Sequence, residues 1–506
     1  MNSGAGVIPA HQAEPPLVLA LDVGSSSIRA LVFDRLGRAI AGLEAKEPHA
    51  FRTDAAGASE ADPDALLQLI FACIDRALQA AGPLANAIAA VAADTFVNNI
   101  LGIDAHGRAI TPLTTYADTR AAGEVAGLQA DFAEAETHNR TGCRFHPSYL
   151  PARLRWLHRA DPDLFRAVAR WVSLDEYLKL ALFGEAAVST SVAAWTGLLD
   201  RRRLIWDEPL LAGLPITAGQ LSPLVDADAG QQGVRPVFAR RWPSLAQIPW
   251  FPAIGDGAAA NLGCGCVGPE RVALTVGTSS ALRAVAVADA PQLPSGLWCY
   301  RVDARRSLPG GALTEGGSVY AWMRQTLQLD DPAAVEQALA AMRPDGHGLT
   351  LLPLFAGERS PGWVGHARAT FHGLTLATTP LHLLRAGLEA VAYRIALVYA
   401  QLRPLLPAEP EIIAGGGALL ASPAWLQIMA DVLGRPVIAS AAPEATARGA
   451  ALLALEAIAA LPDLSQAPVF TGDAYLPNPD HHAIYTAAIA RQQHLYQRVT
   501  ILTLDT

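Results

Sequence analysis

One phrase occurs twice in this chain, and it constrains the fold more than any other feature. The first copy, LALDVGSSSIRALVF, covers Leu19–Phe33, and the second, VALTVGTSSALRAV, covers Val272–Val285. Each copy reads as a short apolar strand that enters a turn of glycine and hydroxyl residues and leaves as a second apolar strand. The turns differ in charge, because Asp22 in the first copy corresponds to Thr275 in the second. Such a duplication predicts two like domains that close on one phosphate-bearing ligand.

The two turns have the composition of a phosphate site. Glycine permits backbone angles at which successive N–H groups point at one spot. Hydroxyl groups at the same place add further donors, and they belong to Ser25, Ser26, Ser27, Thr278, Ser279 and Ser280. An acid beside phosphate needs a cation between them, so Asp22 is a candidate Mg²⁺ partner, through water. The alternative is two ordinary β-hairpins with polar turns, which the duplication disfavours.

Length, charge and cysteine content narrow the class of protein. A chain of 506 residues exceeds one hydrophobic core, so we expect two domains of similar size. The net charge of −9 argues against a nucleic-acid partner, which would need a basic face. Of the five cysteines, Cys264 and Cys266 form a pair without a second pair or a histidine at zinc spacing. We interpret them as structural cysteines of a reducing compartment.

The sequence carries no membrane or export signal that we recognise. Residues 1–16 lack a basic region followed by an apolar run, and we expect them to form a disordered tail. Even the apolar stretch at 441–461 contains Glu444, Arg448 and Glu456, so it does not read as a membrane span. We therefore expect a cytoplasmic protein with no membrane partner. Its oligomeric state stays open, with a homodimer as one option.

The order of predicted elements is α/β and occurs twice. Asp62, Pro63 and Gly82 predict the N-cap, first residue and end of a helix, with three strands before it and the strand 87–96 after it. This is the opening order of an actin-like, ribonuclease H-like domain. The second half starts again near residue 254 and includes the predicted helices 380–402 and 423–433. We divide the chain into domains 17–253 and 254–506.

Residues of about 110–250 interrupt this order. They are richer in helix, Trp, Arg and Pro than their surroundings. We interpret them as insertions of the first domain that could form substrate contacts.

Asp256 is the strongest catalytic candidate. It stands between Gly255 and Gly257, at the end of a predicted strand and before a helix of small residues. Sites of α/β proteins usually lie at such strand ends, and the glycines permit close approach of another molecule. A hydroxyl group that attacks phosphorus needs a proton acceptor, a role that fits a carboxylate. The alternative is that Asp256 only caps the helix at Ala258.

Several motifs in order resemble the FGGY family of carbohydrate kinases, from about residue 17 to the end of the chain. DVGSSSIRA resembles the first phosphate motif of the family, GDGAAANLG its catalytic-acid motif, and VGTSSALRA its second phosphate motif. GGGALLASPAWLQIMADVLG resembles its nucleotide-binding loop and helix. Residues 369–389 resemble the C-terminal signature and depart from it at Gly387, whereas SYLPARLRWL has Arg153 where lysine is usual.

The resemblance implies an ATP-dependent kinase with Mg²⁺, in which two actin-like ATPase domains related by duplication enclose a cleft for ATP and substrate. The first domain would bind the sugar and the second the nucleotide. Asp256 would contact the sugar and act as its general base, and Asp22 would hold the water shell of Mg²⁺. The remaining nucleotide contacts that the resemblance implies are Ser25, Ser26, Arg29, Gly277, Thr278, Gly316, Gly317, Gly416, Gly417 and Ser422. The segment TEGG, which includes Gly316 and Gly317, could equally be a helix start.

The resemblance implies that the substrate is a sugar or sugar acid. Three stretches resemble the gluconate kinase branch of the family: 141–157, 172–211 and 357–374. The resemblance places Asn98, Asp118 and Arg120 near the sugar. A sugar acid also needs a cation for its carboxylate, for which Arg120 and Arg144 are candidates, while we interpret His146 as a structural turn residue.

Other functions stay open. Val97-Asn98-Asn99 departs from the polar residues usual in relatives at this place, which keeps alive a kinase for a ketopentose such as xylulose or ribulose, or for another polyol. A remoter alternative is an actin-like ATP-binding protein without kinase activity. The glycines around Asp256 and the insertions argue against it.

Overall fold

Two mixed β-sheets organise the chain in the computed structural model, which describes residues 6–287, 292–407 and 409–502. The strands of the first half are β1 (Val7–Ile8), β2 (Leu17–Val23), β3 (Ser27–Phe33), β4 (Ala39–Pro48), β5 (Arg52–Thr53), β6 (Ser59–Ala61), β7 (Ile88–Thr95), β8 (Leu101–Ile103), β9 (Leu113–Thr114), β10 (Arg170–Val172), β11 (Val188–Ser189), β12 (Leu199–Asp200), β13 (Ile205–Trp206), β14 (Leu224–Val225) and β15 (Ile254–Gly255). Its helices are α1 (Pro63–Ala81), α2 (Glu124–Asp131), α3 (Glu134–Thr141), α4 (Leu150–Ala160), α5 (Pro162–Ala167), α6 (Leu174–Phe183), α7 (Thr190–Trp195), α8 (Glu208–Leu211) and α9 (Pro236–Arg241).

The second half continues the numbering. Its strands are β16 (Arg271–Val276), β17 (Ser280–Ala284), β18 (Trp298–Arg301), β19 (Ser307–Leu313), β20 (Thr350–Leu352), β21 (Thr370–His372), β22 (Glu411–Gly415), β23 (Val437–Ser440) and β24 (Thr471–Tyr475). Its helices are α10 (Asp256–Gly263), α11 (Gly317–Thr326), α12 (Pro332–Ala341), α13 (Pro380–Leu402), α14 (Gly417–Leu420), α15 (Pro423–Leu433), α16 (Ala445–Ala457) and α17 (Pro479–Leu502).

The two large sheets repeat one arrangement. In the first, the order is β1-β4-β3-β2-β7-β15, with β2 antiparallel to β3 and parallel to β7. In the second, the order is β18-β19-β17-β16-β22-β23-β24, with β16 antiparallel to β17 and parallel to β22. Each repeated phrase is therefore the central hairpin of its own sheet. The predicted α/β fold with two actin-like domains is confirmed.

The copies diverge in charge at the carboxyl ends of their paired strands. Asp22 of β2 is the register partner of Asp94 of β7 in the first sheet. The corresponding pair in the second sheet is Thr275 of β16 and Gly415 of β22, which carries no charge. Only the first sheet therefore places an acid pair at this position.

Local sequence signals account for many element boundaries. Helix α1 begins at Pro63, and the side chain of its N-cap, Asp62, accepts hydrogen bonds from two backbone N–H groups. Proline at the first position and a hydroxyl cap also set the starts of α13 and α15, and both helices have the predicted bounds. The predicted strand 87–96 is observed as Ile88–Thr95.

Helix α1 is long and apolar enough to cross a membrane by length and composition, yet it packs on β3 and β4. Leu66, Ile70 and Ile74 on its apolar face are buried there. We interpret α1 as a core helix.

Two boundaries differ from expectation. The predicted disordered tail is wrong for residues 6–16, because β1 pairs with β4 in parallel and the backbone N–H of Ala39 donates to the oxygen of Gly6 at 2.8 Å. Residues 1–5 lie outside the described chain. Strand β15 hydrogen-bonds to β7 of the first sheet. The predicted domain boundary between residues 253 and 254 stays a prediction. Strand β15 comes after this boundary in the sequence but belongs to the first sheet.

The predicted insertions surround a separate apolar core. Helices α2, α4 and α5 and strand β10 contribute buried residues to it, including Leu128, Leu154, Phe165 and Trp171. This layer lies next to the carboxyl ends of the first sheet through Arg153, which donates to the backbone oxygen of Asn98. The insertions are helix-rich, as the sequence indicates.

Helices α10 and α16 cross so closely that glycine is required on both. A Cβ atom on Gly263 would lie 1.7 Å from the oxygen of Ala445, and one on Gly449 would lie 1.8 Å from the oxygen of Ala259. The crossing is locked further by Arg448, which donates to the oxygen of Gly263 at 2.5 Å. Since α16 packs on β2 and β7, a late segment of the chain supports the helix that begins at Asp256.

This crossing predicts a cost for Gly449→Ala. The added methyl group meets backbone rather than a movable side chain, so overpacking should lower the free energy of unfolding by about 1–3 kcal/mol, despite the gain of about 1 kcal/mol in helix propensity. Gly123→Ala is the matched control, because a Cβ atom there meets nothing within 4 Å. Urea denaturation followed by tryptophan fluorescence measures both. Equal midpoints for the two variants would contradict this packing account.

Candidate active site

Three aspartates meet at one edge of the first sheet. Asp22 and Asp94 are the last but one residues of β2 and β7, and Asp256 follows β15 directly. The three strands are neighbours and run parallel, and the register pairs Asp22 with Asp94 and Ile254 with Asp94. Because the carboxyl ends of parallel strands share one edge, the sequence-distant acids are brought together where α/β sites lie.

Asp94 is the most strongly perturbed member of this cluster. Its side chain is fully buried, and neither carboxylate oxygen has a hydrogen-bond partner among the described residues. Burial, and then the negative charges of Asp22 and Asp256, raise the pKa of Asp94 well above its ordinary value. A bound cation would favour its ionised form.

The carboxyl group of Asp22 is also buried, but a nearby positive charge partly offsets the effect of burial. Burial raises the pKa of its carboxyl group, and Arg29 opposes the shift with its Nη1 atom 4.0 Å from Oδ2. Arg29 in turn contacts Glu444, just before α16. The predicted phosphate contact Arg29 therefore lies at the acid cluster and shares its charge with two carboxylates.

Asp256 is poised as a proton acceptor. It is the first residue of α10, whose N-cap is Gly255, and its Oδ1 accepts from the backbone N–H of Gly257 at 2.7 Å. It makes no hydrogen bond to Ala258, so the predicted cap at that residue is not observed, and the first-turn N–H group that it binds is that of Gly257. Burial raises the pKa of Asp256 to about 6, while the positive charge of Arg283 lowers it. A carboxylate with a pKa near neutrality suits general base catalysis.

Arg283 reaches this acid from the other domain. It projects from β17, and its Cζ would lie 3.4 Å from a Cβ atom on Gly257. Its Nε and Nη1 atoms are buried and lack hydrogen-bond partners within the described chain. Arg283 is thus a cation of the second domain that faces Asp256 and is available to an anionic group between them.

An aromatic wall explains the two glycines beside Asp256. The indole of Trp195 is packed so tightly that a Cβ atom on Gly255 would lie 2.4 Å from its Nε1, and one on Gly257 would lie 2.9 Å from its Cη2. Trp195 stacks on Tyr300 with ring centroids 3.7 Å apart, and Tyr300 stacks on Trp298 at 4.4 Å. The wall spans both domains, and the buried Nε1 of Trp195 lacks a hydrogen-bond partner in the described part of the chain.

The second phosphate turn is the centre of a cradle of three glycine turns. Gly277 accepts from the backbone N–H of Gly317 at 2.7 Å, and Thr278 accepts from that of Ser318 at 3.1 Å. Gly416 has a φ angle of 88°, and a Cβ atom there would lie 2.4 Å from the oxygen of Val276. The structure thus brings together Gly277, Thr278, Gly316, Gly416 and Gly417, and their contact with a nucleotide stays a prediction.

TEGG is indeed a helix start, because α11 begins at Gly317. The backbone N–H groups of Gly317, Ser318 and Val319 in its first turn donate to the oxygens of Gly277, Thr278 and Gly316. The helix start therefore fixes the cradle, and a role of Gly316 and Gly317 at phosphate stays a prediction.

Other predicted nucleotide contacts are placed less directly. Ser25 is half-buried and Ser26 exposed in the turn between β2 and β3. Ser422 caps α15, and its hydroxyl group also donates to Glu336 Oε2 at 2.8 Å. Because that hydroxyl is already engaged, its predicted role along the nucleotide stays a prediction.

The predicted sugar-side residues fall into two groups. Asn98 has a φ angle of 57°, and its buried Oδ1 lacks a hydrogen-bond partner in the ranges described, so it is suited to a ligand hydroxyl group. By contrast, Arg120 forms ion pairs with Asp118 at 2.5 Å and Glu60 at 2.6 Å. Arg144 pairs with Glu134 at 2.8 Å. The charges of both arginines are therefore largely neutralised by protein carboxylates.

A second group of possible metal ligands lies away from this site. Asp345, His347 and Glu389 lie close together, but Arg385 donates to Glu389 Oε1 at 2.6 Å. His347 accepts at Nδ1 from Leu349 and contacts Glu389 through Nε2 at 2.9 Å. Both ring nitrogens are engaged, so these residues form a closed ion-pair network.

Sequence reasoning missed two residues of the site. Asp94 carries a weak signal, since it is the only acid in the strand IAAVAADT. Arg283 lies in the repeated phrase itself, but its proximity to Asp256 depends on the arrangement of the domains. Trp195 also lines the site, since it packs against the glycines on both sides of Asp256.

Comparison with known proteins agrees with this architecture. The N-terminal domain of the FGGY family of carbohydrate kinases matches residues 17–263, and the C-terminal domain of that family matches residues 272–458. The chain belongs to the FGGY family of carbohydrate kinases and is a phosphotransferase.

Its relatives differ in substrate. A gluconokinase from Bacillus subtilis (strain 168) is 26% identical over 91% of both chains. A glycerol kinase from Aromatoleum aromaticum is 34% identical over 86% of this chain and 89% of its own. The crystal structure of a xylulose kinase from Lactobacillus acidophilus superposes with a TM-score of 0.88 at 25% identity, covering 96% of this chain and 98% of its own. The family of the chain is thus established, but its relatives are named for different substrates.

The electrostatics of Asp256 predict the acid side of the pH profile. Turnover should fall as pH drops through about 6, because protonation removes the proton acceptor. Removing the positive charge in Arg283→Gln should raise the pKa of Asp256, so this limb should move to higher pH. Initial rates measured from about pH 5 to about pH 9 determine the shift. Arg305→Gln, which removes a positive charge from an exposed site, is the control. A limb that stays in place, or moves to lower pH, would count against contact between the two charges.

Proposed function

We propose that this protein transfers the γ-phosphoryl group of ATP to gluconate, giving 6-phosphogluconate. The observation that carries the proposal is the position of Asp256. A carboxylate with a pKa near neutrality lies between the acid edge of one domain and the cationic, glycine-rich face of the other. A hydroxyl group bound beside Asp256 would face a phosphoryl group held at the cradle.

The reaction follows from the charges around Asp256. The substrate oxygen attacks the γ-phosphorus, its proton passes to the Asp256 carboxylate, and the bond from phosphorus to the ADP oxygen breaks. Negative charge on the transferred group is stabilised by Arg283, whose Nε and Nη1 atoms have no hydrogen-bond partner in the described chain. Closure of the domains excludes water, which would otherwise compete with the sugar as nucleophile.

Asp22 and Asp94 fit a magnesium site. They offer only carboxylate oxygens, the ligand type that Mg²⁺ prefers, and the unpartnered oxygens of Asp94 are suited to a cation or its water shell. When bound, Mg²⁺ neutralises charge on the ATP phosphates. We assign Asp22 and Asp94 to holding its hydration shell and Asp256 to the proton, which separates the roles of the three acids.

The choice of gluconate rests on relatives and on sequence. The gluconokinase from B. subtilis matches nearly the whole chain, and residues 141–157 and 357–374 resemble that branch. The glycerol and xylulose kinases among the relatives make a polyol or a ketopentose the alternative. We place the enzyme in the cytoplasm, with free sugar acid as its partner, and a homodimer is its proposed assembly.

A substrate panel tests this choice. An assay that couples ADP release to NADH oxidation should show the highest kcat/KM on gluconate among gluconate, xylulose, ribulose and glycerol. Turnover of xylulose or glycerol with none on gluconate would replace the proposed substrate. ADP release that no sugar stimulates would favour the non-kinase alternative.

Replacement of the base tests the mechanism. Asp256→Asn should lower kcat by about 10²–10⁴, because the side chain keeps its size but no longer accepts the proton. ATP binding should change little, since the nucleotide cradle lies on the other domain. Asp163→Asn, at an exposed surface position, is the control. A variant with undiminished kcat would remove Asp256 from this role.

A further inference from the structure

Arg359 is a cation at the domain interface whose guanidinium group has no partner in the described part of the chain. It lies in the connection between β20 and β21, where it is half-buried. Within residues 6–287, 292–407 and 409–502, its guanidinium group makes no hydrogen bond and no ion pair. This distinguishes it from Arg120 and Arg144, each of which is held by a carboxylate.

Contacts of the same loop place Arg359 at the sugar side of the cleft. Its backbone oxygen accepts from the N–H of Trp363 at 2.6 Å. The ring of Trp363 meets the ring of His146 edge-on, with centroids 5.9 Å apart. His146 belongs to the insertions of the first domain, so this loop of the second domain lies directly against the predicted substrate layer.

A row of aromatic residues connects this place to Asp256. His146 contacts Tyr149 at 6.2 Å between centroids, and the hydroxyl group of Tyr149 is 2.5 Å from that of Tyr300. Tyr300 stacks on Trp195, which packs against the glycines on both sides of Asp256. One continuous row of ring contacts thus connects the loop of Arg359 to the glycines beside Asp256.

The charge of Arg359 is felt along this wall. Burial is the main cause that lowers the pKa of Arg283, and the charge of Arg359 lowers it further. Burial also lowers the pKa of His146, and together with the charge of Arg359 it brings that pKa to about 3. His146 is therefore neutral at pH 7. Its Nδ1 accepts from the backbone N–H of Ser148 at 3.2 Å and lies 2.8 Å from Ser148 Oγ, whose hydroxyl group can donate to the same nitrogen. With Nδ1 as acceptor, the ring proton lies on Nε2, which is a donor.

We infer that Arg359 and the Nε2–H of His146 form a carboxylate subsite, which binds the end of a sugar acid opposite to the hydroxyl group that is phosphorylated. The inference rests on the proposed function, and it names the residues that distinguish an acid from a neutral sugar. A guanidinium group can hold both oxygens of a carboxylate. No existing ion pair has to break, as it would for Arg120 or Arg144.

Arg359→Gln tests the subsite through substrate discrimination. The KM for gluconate should rise by about 10- to 100-fold, the loss expected for a charge-assisted hydrogen bond. The kcat/KM for glucitol, in which a hydroxymethyl group replaces the carboxylate, should stay within about twofold. Arg359→Lys should retain part of the preference, because the charge remains while the fork is lost. An unchanged KM for ATP and an unchanged circular dichroism spectrum show that each variant is folded.

Arg368→Gln is the matched control, since it removes the same charge from an exposed position on the same loop. It should leave the ratio of gluconate to glucitol activity unchanged. If Arg359→Gln and Arg359→Lys keep the wild-type ratio, the subsite is overturned and the proposed substrate is untouched. If the wild-type protein acts on neutral sugars alone, the proposed substrate fails and the carboxylate subsite fails with it.

Discussion

Parallel pairing of β2, β7 and β15 is the constraint on which the site depends. It brings Asp22, Asp94 and Asp256 to one edge. Burial raises the pKa of all three carboxyl groups, and the negative charge of Asp22 adds to this effect at Asp94 and Asp256. Two buried carboxylates and a half-buried one with so few hydrogen bonds are unfavourable unless cations offset them. The second domain supplies Arg283, and a metal ion with its nucleotide fits the remaining need. The site is therefore complete only when both domains and the ligands are together.

Duplication and divergence divide the work between the domains. Both central hairpins keep a turn of glycine and hydroxyl residues, yet the pair Asp22 and Asp94 corresponds to Thr275 and Gly415 in the second sheet. An uncharged strand edge can lie near phosphates without repulsion, and the glycines allow the three turns of the cradle to meet. In the proposed mechanism, the acid edge of the first sheet serves the metal and the proton. The same fold thus serves two electrostatic purposes.

Much of this could be predicted because its signals are local. Glycines beside Asp22 and Asp256 mark the turns, and proline with a capping residue sets the start of α1, α13 and α15. The partners of Arg120 and Arg144 could not be predicted, since Glu60 lies sixty positions from Arg120 and nothing local connects them. The positions of Arg283 and Arg359 at the site could not be predicted for the same reason, because their neighbours belong to the other domain. Asp94 was hidden within an apolar strand.

The separation of roles among the three acids is tested most directly by metal binding. Mn²⁺ can replace Mg²⁺ at an oxygen site, and its binding with ADP is measured by water proton relaxation. The account predicts that Asp22→Asn weakens Mn²⁺ binding in the ADP complex by about 10- to 100-fold, as loss of a residue outside the first ligand shell does. Asp256→Asn should bind Mn²⁺ as the wild-type protein does. Equal weakening by both variants, or by Asp256→Asn alone, would contradict it.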